Sequence, residues 1–73
     1  MTGKYDHEHV NFGEDYELND HLRKHDKKVS DDNRAVLREM GEELKAQLGK
    51  RVLTHKEFDD YIKDNLDRLA DSD

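Results

Sequence analysis

The segment from Leu53 to Leu69, LTHKEFDDYIKDNLDRL, constrains the fold more than any other stretch, because two independent helix signals coincide in it. Thr54 and Glu57 have the spacing of a capping box, in which the hydroxyl and the carboxylate each satisfy a free backbone N–H at the start of a helix. After this box the apolar residues recur at helical spacing, at Phe58, Tyr61, Ile62, Leu66 and Leu69. The segment is therefore predicted to be a helix with one buried face, entered through a hydrophobic staple between Leu53 and Phe58.

A second helix is predicted from Ser30 to Leu48. Ser30 is a good N-cap, the carboxylates that follow it suit the positive end of the helix dipole, and Gly49 is suited to end the helix. Within the apolar stripe, Gly41 lowers helix propensity by about 1 kcal/mol relative to alanine, so we expect it to let another backbone come close. The stripe consists of Leu37, Met40, Gly41, Leu44 and Leu48, with Val36 on its flank.

A weaker first helix is predicted from about Glu14 to Asp26, where acidic residues begin the segment and basic residues end it. Residues 1–13 have no helical period and are predicted to form an irregular arm whose Val10 and Phe12 dock on the core. The three helices occupy residues 14–70, and the tail at 71–73 is expected to fray. The inward face of the first helix is half histidine and consists of Leu18, His21, Leu22 and His25.

Three short amphipathic helices can bury their apolar stripes only against each other, so the sequence predicts an all-α fold, a small three-helix antiparallel bundle with an irregular N-terminal arm. The second and third helices are expected to be its stronger pair. The chain has 73 residues, of which 32% are apolar and 44% are charged; ordinary domains have about 45–50% and about 25%. We therefore expect a thin core and a stability that is marginal or shared with a partner.

Several classes of function are disfavoured by what the sequence lacks. It has no cysteine, which excludes disulfides and cysteine-based zinc sites. It has no apolar run long enough for a membrane span or a signal peptide, so we expect a cytoplasmic protein without membrane contact. It also lacks a glycine-rich phosphate loop, a nucleophile elbow and an isolated carboxylate pair. We therefore expect neither enzymatic activity nor a cofactor.

His21 and His25 are the weak candidates for a metal site, because two imidazoles four residues apart on a helix can chelate one ion. Glu17 could supply a third ligand from one turn earlier. Leu22, however, stands where the metalloprotease pattern requires a glutamate. We therefore predict no metal centre and interpret both histidines as residues at the margin of the core face.

The net charge of −6 is unevenly distributed. Residues 1–22 carry a net −5, residues 23–38 a net +3 and residues 39–73 a net −4. A helix–loop–helix junction with basic side chains could contact phosphates, so nucleic-acid binding is kept as an alternative function. The pI of about 5.3 argues against it, since acidic flanks repel phosphate. The basic candidates at this junction are Lys24, Lys27, Lys28, Arg34 and Arg38.

A further alternative is that the third helix imitates a phosphate backbone and occupies a nucleic-acid-binding protein. Its outer surface would be densely acidic, although an ordinary solvated helix exterior explains the same pattern. The acidic residues concerned are Glu57, Asp59, Asp60, Asp64, Asp67 and Asp71.

The apolar stripe of the third helix contains one polar residue, Asn65. An unpaired amide is costly to bury, and a single polar residue in a helical seam can fix register or oligomeric state, although it could equally lie at the exposed edge. Together with Gly41 and the thin core, Asn65 favours a homodimer or a groove for a partner helix. We therefore expect a non-enzymatic protein–protein interaction or regulatory module. Its predicted contact surface consists of Met40, Gly41, Leu44, Tyr61 and Asn65, together with the charged rim from Arg23 to Arg38.

Overall fold

The computed structural model describes residues 8–72, which fold into a small all-α bundle of three helices. Helix α1 spans Asp15–Lys24, α2 spans Asp31–Leu48 and α3 spans His55–Lys63, and a short 3-10 turn follows at Leu66–Arg68. Helix α2 contacts both α1 and α3. The predicted fold class is confirmed. The predictions for the first seven residues of the arm and for Asp73 lie outside the described residues.

Local sequence signals determine where α2 begins and ends. The hydroxyl of Ser30 accepts a hydrogen bond from the backbone N–H of Asn33 at 3.2 Å, which caps the first turn. At the other end Gly49 adopts a left-handed conformation, with φ of 65°, and its N–H bonds back to the last turn. The predicted bounds of this helix are therefore confirmed.

The capping box at the start of α3 is also present. The Thr54 hydroxyl accepts from the backbone N–H of Glu57 at 3.1 Å, and the Glu57 carboxylate accepts from the backbone N–H of Thr54 at 2.9 Å. Leu53 and Phe58, the predicted staple pair, are both fully buried in the core. These contacts confirm the entry into the helix that the sequence predicts.

Helix α3 is shorter than predicted, because it ends at Lys63 instead of continuing to Leu69. Asn65 has a non-helical backbone, and its Nδ2 donates to the carbonyl oxygen of Tyr61 at 2.8 Å. This bond satisfies one of the carbonyls that a helix end leaves free. The prediction that Asn65 lies on the apolar stripe within the third helix is therefore wrong, because the residue comes after the helix has ended. Its side chain terminates the helix instead.

The core lies between the three helices and the arm, and it consists almost entirely of aliphatic side chains around one aromatic ring, Phe58. Phe12 packs at its edge with its ring centroid 5.0 Å from that of Phe58. Docking of the arm through Val10 and Phe12 is therefore confirmed. The buried apolar residues are Val10, Leu18, Leu22, Leu37, Met40, Leu44, Leu53, Phe58, Ile62 and Leu69.

Gly41 admits an aromatic ring and not a second backbone. A Cβ atom at this position would lie 2.5 Å from Cε1 of Phe12, which is far inside van der Waals contact. The close approach that the sequence predicts at Gly41 therefore exists, but a side chain of the arm makes it.

The arm pairs with the connector that precedes α3. The N–H of Val10 donates to the carbonyl of Leu53 at 2.8 Å, and the N–H of His55 donates to the carbonyl of Glu8 at 2.9 Å. These bonds place the arm beside the first turn of α3, where it forms one wall of the site described below.

The tail pairs with the connector between α1 and α2. Lys28 donates its N–H to the carbonyl of Ala70 at 2.9 Å, and Ser72 donates its N–H to the carbonyl of Asp26 at 3.2 Å. Asp26 has a φ of 58°, a left-handed conformation that aspartate tolerates better than most residues. This pairing extends through Asp71 and Ser72 in the tail, and fraying there remains a prediction.

A single buried amide joins the tail to α2. Asn33 is 2% exposed, and its Nδ2 donates to the carbonyls of Lys28 at 2.7 Å and Ala70 at 3.0 Å. Its Oδ1 accepts from the N–H of Ala70 at 2.9 Å. Both the Nδ2 and the Oδ1 atom of the Asn33 amide therefore have backbone partners, so this polar side chain is buried with its hydrogen bonds satisfied. No helix in residues 8–72 combines the length and the apolar composition that crossing a membrane needs.

Candidate functional site

The predicted partner surface is largely inside the folded chain. Met40 is fully buried, Leu44 is 7% exposed, and Gly41 is covered by the arm. A partner could reach these three residues only after the arm moved away. Tyr61 and Asn65 are half-buried and lie outside the core. The five residues do not form one continuous accessible surface, so partner binding through them remains a prediction that this arrangement does not favour.

The basic junction is mostly neutralised by carboxylates of the same chain. Lys28 is exposed, but the other four candidates form ion pairs: Lys24 with Asp59, Lys27 with Asp71, Arg34 with Asp15 and Asp31, and Arg38 with Asp15. Contact with a phosphate would require exchanging these pairs. The arrangement therefore gives no support to nucleic-acid binding by this junction.

The acidic surface predicted for the third helix is also less uniform than the sequence indicates. Asp59 is only 14% exposed and points between α1 and α3. Glu57 pairs with Lys50 at 2.6 Å, and Asp60 pairs with Lys56 at 3.5 Å. This face therefore resembles a phosphate backbone less closely than the sequence alone suggests.

The densest group of polar side chains in the described part of the chain surrounds Asp59. Its Oδ1 lies 2.7 Å from Nε2 of His25 and 3.2 Å from Nδ1 of His21, and its Oδ2 lies 2.8 Å from Nζ of Lys24. Burial alone raises the pKa of Asp59, but hydrogen bonds from Lys24, His25 and His21 outweigh that effect and lower the pKa to about 2. Asp59 is therefore an anion that only accepts hydrogen bonds.

The protonation of His21 follows from its surroundings. Burial lowers the pKa of His21 more strongly than the hydrogen bond and the charge of Asp59 raise it, so the ring is neutral near pH 7 and carries one N–H. Because Nδ1 faces the Asp59 carboxylate, we assign this N–H to Nδ1, and Nε2 is left as an acceptor. His55 places its Nδ1 2.9 Å from that Nε2, and the two rings stack with centroids 5.1 Å apart.

The cluster continues from His55 to α1 and the arm. Nε2 of His55 lies 3.3 Å from Oε1 of Glu17, and the same oxygen accepts the backbone N–H of Asn11 at 2.9 Å. A chain of polar contacts therefore runs from the arm through Glu17, His55 and His21 to Asp59, and it crosses between α1 and α3 three times.

A pocket of about 320 Å³ opens beside these polar contacts, and Glu17, His21 and His55 form part of its lining. Three carboxylates, three imidazoles, one ammonium group and one phenol line it, and all of them come from the arm, α1 and α3. Tyr16 contributes an aromatic ring that is 62% exposed, and the ammonium of Lys24 is paired with Asp59. The lining residues are Glu8, His9, Tyr16, Glu17, Asp20, His21, Lys24 and His55.

The arrangement does not support His21 and His25 as metal ligands. The two rings do not converge on a common open position, because each directs a nitrogen at the Asp59 carboxylate. Within residues 8–72 no group of three or more histidine, cysteine, aspartate or glutamate side chains is placed to hold a metal ion.

Sequence reasoning missed the role of Asp59 and His55. It placed Asp59 on an outer acidic surface, and His55 lies 34 residues from His21 along the chain. One signal was available, because a helix face that is half histidine needs polar partners once it is buried. That signal does not identify the partners. Comparison with protein-family models, with curated proteins and with solved structures finds no match for this chain.

Proposed function

We propose that this protein is a non-enzymatic interaction module that binds a basic side chain, arginine or lysine, of a protein partner in the pocket between the arm, α1 and α3. The observation that carries the proposal is the composition of the pocket wall. Glu8, Glu17 and Asp20 bring three carboxylates to one cavity. Of the basic side chains beside them, Lys24 is paired with Asp59, and Arg23 makes an exposed ion pair with Asp20 at 3.4 Å. A guanidinium or ammonium group would find unbalanced negative charge there.

The size and the aromatic lining of the pocket suit the same ligand. A volume of about 320 Å³ lies at the lower end of the range for small-ligand sites and is enough for one long side chain. Tyr16 brings a ring that is 62% exposed to the pocket wall, and contact between a cation and an aromatic ring contributes about 0.5–1 kcal/mol at exposed sites. The pocket therefore combines charge attraction with a surface that favours guanidinium or ammonium groups.

The charge of the whole chain supports a basic partner as well. A net charge of −6 on so small a protein attracts cationic surfaces and repels nucleic acid, and it raises the rate of encounter with a basic protein. An acidic nucleic-acid mimic would engage the same class of partner, but through the outer surface of α3 and not through the pocket.

The lining of the pocket also fits binding better than catalysis. Asp59 and His21 resemble the part of a catalytic triad that orients the base. The Nε2 atom of His21, however, is occupied by His55, and serine, threonine and cysteine are absent from the pocket lining within residues 8–72. The imidazole therefore has no nucleophile beside it to activate.

The proposal is tested by titrating the ¹⁵N-labelled protein with a capped Gly-Arg-Gly peptide, with its lysine counterpart and with Gly-Gln-Gly as the neutral control. We expect weak binding of both cationic peptides, with amide shifts concentrated at Tyr16, Glu17 and Asp20, and no response to the neutral peptide. Binding that shifts residues elsewhere, or equal binding of the neutral peptide, would contradict the proposal.

A matched pair of variants separates the pocket from general charge attraction. Asp20→Asn removes one carboxylate from the pocket wall, and Glu42→Gln removes one from an exposed position on α2 that does not line it. We expect Asp20→Asn to weaken binding of the arginine peptide about two- to fivefold, the upper part of the range for an exposed ion pair, and Glu42→Gln to change it less than twofold. Equal losses in both variants would refute a specific site.

A further inference from the structure

Glu17 is the carboxylate of the pocket that is shared among the most groups. Its Oε1 accepts the backbone N–H of Asn11 at 2.9 Å and lies 3.3 Å from Nε2 of His55. The side chain is only 18% exposed and lies in the pocket wall. A cation that enters the pocket therefore meets a carboxylate that His55 already contacts.

The hydrogen bond between the two histidines determines which nitrogen of His55 can gain a proton. Because Nε2 of His21 is an acceptor, Nδ1 of His55 must donate across their 2.9 Å contact. In neutral imidazole only one nitrogen carries hydrogen, so Nε2 of neutral His55 presents a lone pair toward Glu17. Protonation converts that contact into an N–H that donates to the carboxylate.

The groups around His55 set the charge that a ligand meets. With all the histidines neutral, the lining has three carboxylates and one ammonium group, a net charge of −2. A proton on His55 makes it −1 and directs the new charge at Glu17. Among the described residues, the charged and titratable groups that line the pocket with His55 are Glu8 and His9 from the arm and Tyr16, Glu17, Asp20, His21 and Lys24 from α1, and Asp59 of α3 is reached through His21.

We propose that a proton on His55 and a cationic side chain in the pocket compete for the Glu17 carboxylate, so that acidification releases a basic partner. This inference rests on the proposed function, because it concerns regulation of the same pocket. Because the coupling is reciprocal, binding of the cation also displaces the proton from His55.

The direct test measures the affinity of the capped Gly-Arg-Gly peptide at pH 5.5 and at pH 7.5. We expect the dissociation constant to be about three- to tenfold higher at pH 5.5. His55→Gln should reduce this ratio to less than twofold. The matched control His9→Gln, which removes another histidine from the pocket lining, should keep the ratio. A ratio that survives His55→Gln, or one that disappears in His9→Gln, would overturn the proposal.

A second measurement on the unaltered chain covers the case in which His55→Gln fails to fold. Ring ¹⁵N spectra of the peptide-free protein should show Nε2 of His55 gaining a proton on acidification, and the amide of Asn11 should shift with the same midpoint because it shares Oε1 of Glu17. Protonation of His55 without a response of Asn11 would refute the contact with Glu17.

The two proposals fail in different ways. If the arginine peptide binds at neither pH while Asn11 follows His55, the cation pocket is wrong and only the proton-dependent contact stands. If the peptide binds with equal affinity at both pH values, the pocket stands and the competition for Glu17 is wrong.

Discussion

The ring of Phe12 stands where a side chain at position 41 would begin. A Cβ atom on Gly41 would lie 2.5 Å from Cε1 and 2.6 Å from Cζ of that ring. The same ring meets Phe58 edge-on and has Nζ of Lys45 4.8 Å from its centroid. The arm therefore reaches the core because α2 carries a residue without a side chain at this point.

This relationship predicts that the effect of Gly41→Ala on the free energy of unfolding changes sign when the ring of Phe12 is removed. In the unaltered chain the methyl group displaces Phe12. Overpacking of this kind costs about 1–3 kcal/mol, which exceeds the gain of about 1 kcal/mol in helix propensity, so we expect the free energy of unfolding to fall by about 1 kcal/mol. In a Phe12→Ala background the same substitution should raise it by about 1 kcal/mol. Urea denaturation of the four proteins completes the cycle, and an effect of the same sign in both backgrounds would contradict it.

The buried amide of Asn33 predicts that removing this side chain causes a large loss of stability. Asn33→Ala removes all three of its side-chain hydrogen bonds. It leaves the carbonyl of Lys28 and the N–H of Ala70 without this partner, while the carbonyl of Ala70 keeps the N–H of Lys28. We expect about 2–4 kcal/mol lower free energy of unfolding, and faster amide exchange at Ala70. Gln47→Ala, which removes one exposed hydrogen bond at 3.2 Å to Tyr61, is the control and should change stability by less than about 0.5 kcal/mol. Similar losses in both variants would show that Asn33 does not hold the tail.

The low pKa of Asp59 predicts a stability that depends on acid. Its pKa is about 2 in the folded protein against an ordinary 3.8, a difference that corresponds to about 2 kcal/mol. This contribution is present above the ordinary pKa and is lost as the pH falls from about 4 to about 2. Asp59→Asn should therefore destabilise the protein by about 2 kcal/mol at pH 7 and by much less near pH 2, as thermal melts across this range would show.

The neighbouring substitution Asp60→Asn provides the control, because that carboxylate is exposed and paired only with Lys56. Its effect should stay below about 0.5 kcal/mol at every pH. The lowered pKa of His21 acts in the same direction as that of Asp59. The His21 ring is neutral in the folded protein. On acidification this histidine is protonated at a higher pH in the unfolded chain than in the folded protein, so stability falls as the pH drops below 6.5. An Asp59→Asn effect that does not vary with pH would contradict the role given to this carboxylate.

The pair of Glu43 and Arg68 makes a spectroscopic prediction. Both oxygens of Glu43 accept from Arg68 at 2.8 Å, and one also accepts from Tyr61 at 2.8 Å. Arg68, then Tyr61, lower the pKa of Glu43 to about 2, so the pair contributes stability above pH 4.5 that is lost as the pH falls through about 2. In ¹³C spectra the Glu43 carboxyl should titrate near pH 2, and Arg68→Gln should move its pKa toward 4.5. Lys56→Gln, an equal loss of charge elsewhere, should leave it in place. A midpoint near 4.5 in the unaltered protein would contradict the pairing.

The parts of the fold that the sequence predicts correctly are those decided within one helical turn. Ser30 caps the residue three positions ahead, Gly49 ends the helix that immediately precedes it, and Thr54 and Glu57 form their box within four residues. Each is a contact between neighbours in the chain, so it forms wherever the surrounding segment is helical. Periodicity likewise identifies the buried faces, since the apolar stripes of all three helices contribute to the core.

The parts that the sequence did not predict are those decided by distant residues. The apolar spacing continues past Lys63, yet the helix ends there because Asn65 bonds to a free carbonyl, and no periodic pattern detects that change. The pocket depends on His55 and Asp59 meeting α1 across more than thirty residues. A pattern of charges cannot separate a carboxylate that faces water from one that faces two imidazoles, so Asp59 was placed on the wrong surface.

The two short pairings at the ends of the chain have a mechanical consequence. One end lies along the connector before α3 and the other along the connector before α2, so each link between helices is reinforced by a strip of backbone from far away in the chain. Neither link is free to act as a hinge. For the helices to move relative to one another, the backbone hydrogen bonds of the arm or of the tail would first have to break. The relative mobility of the helices therefore depends on these two pairings.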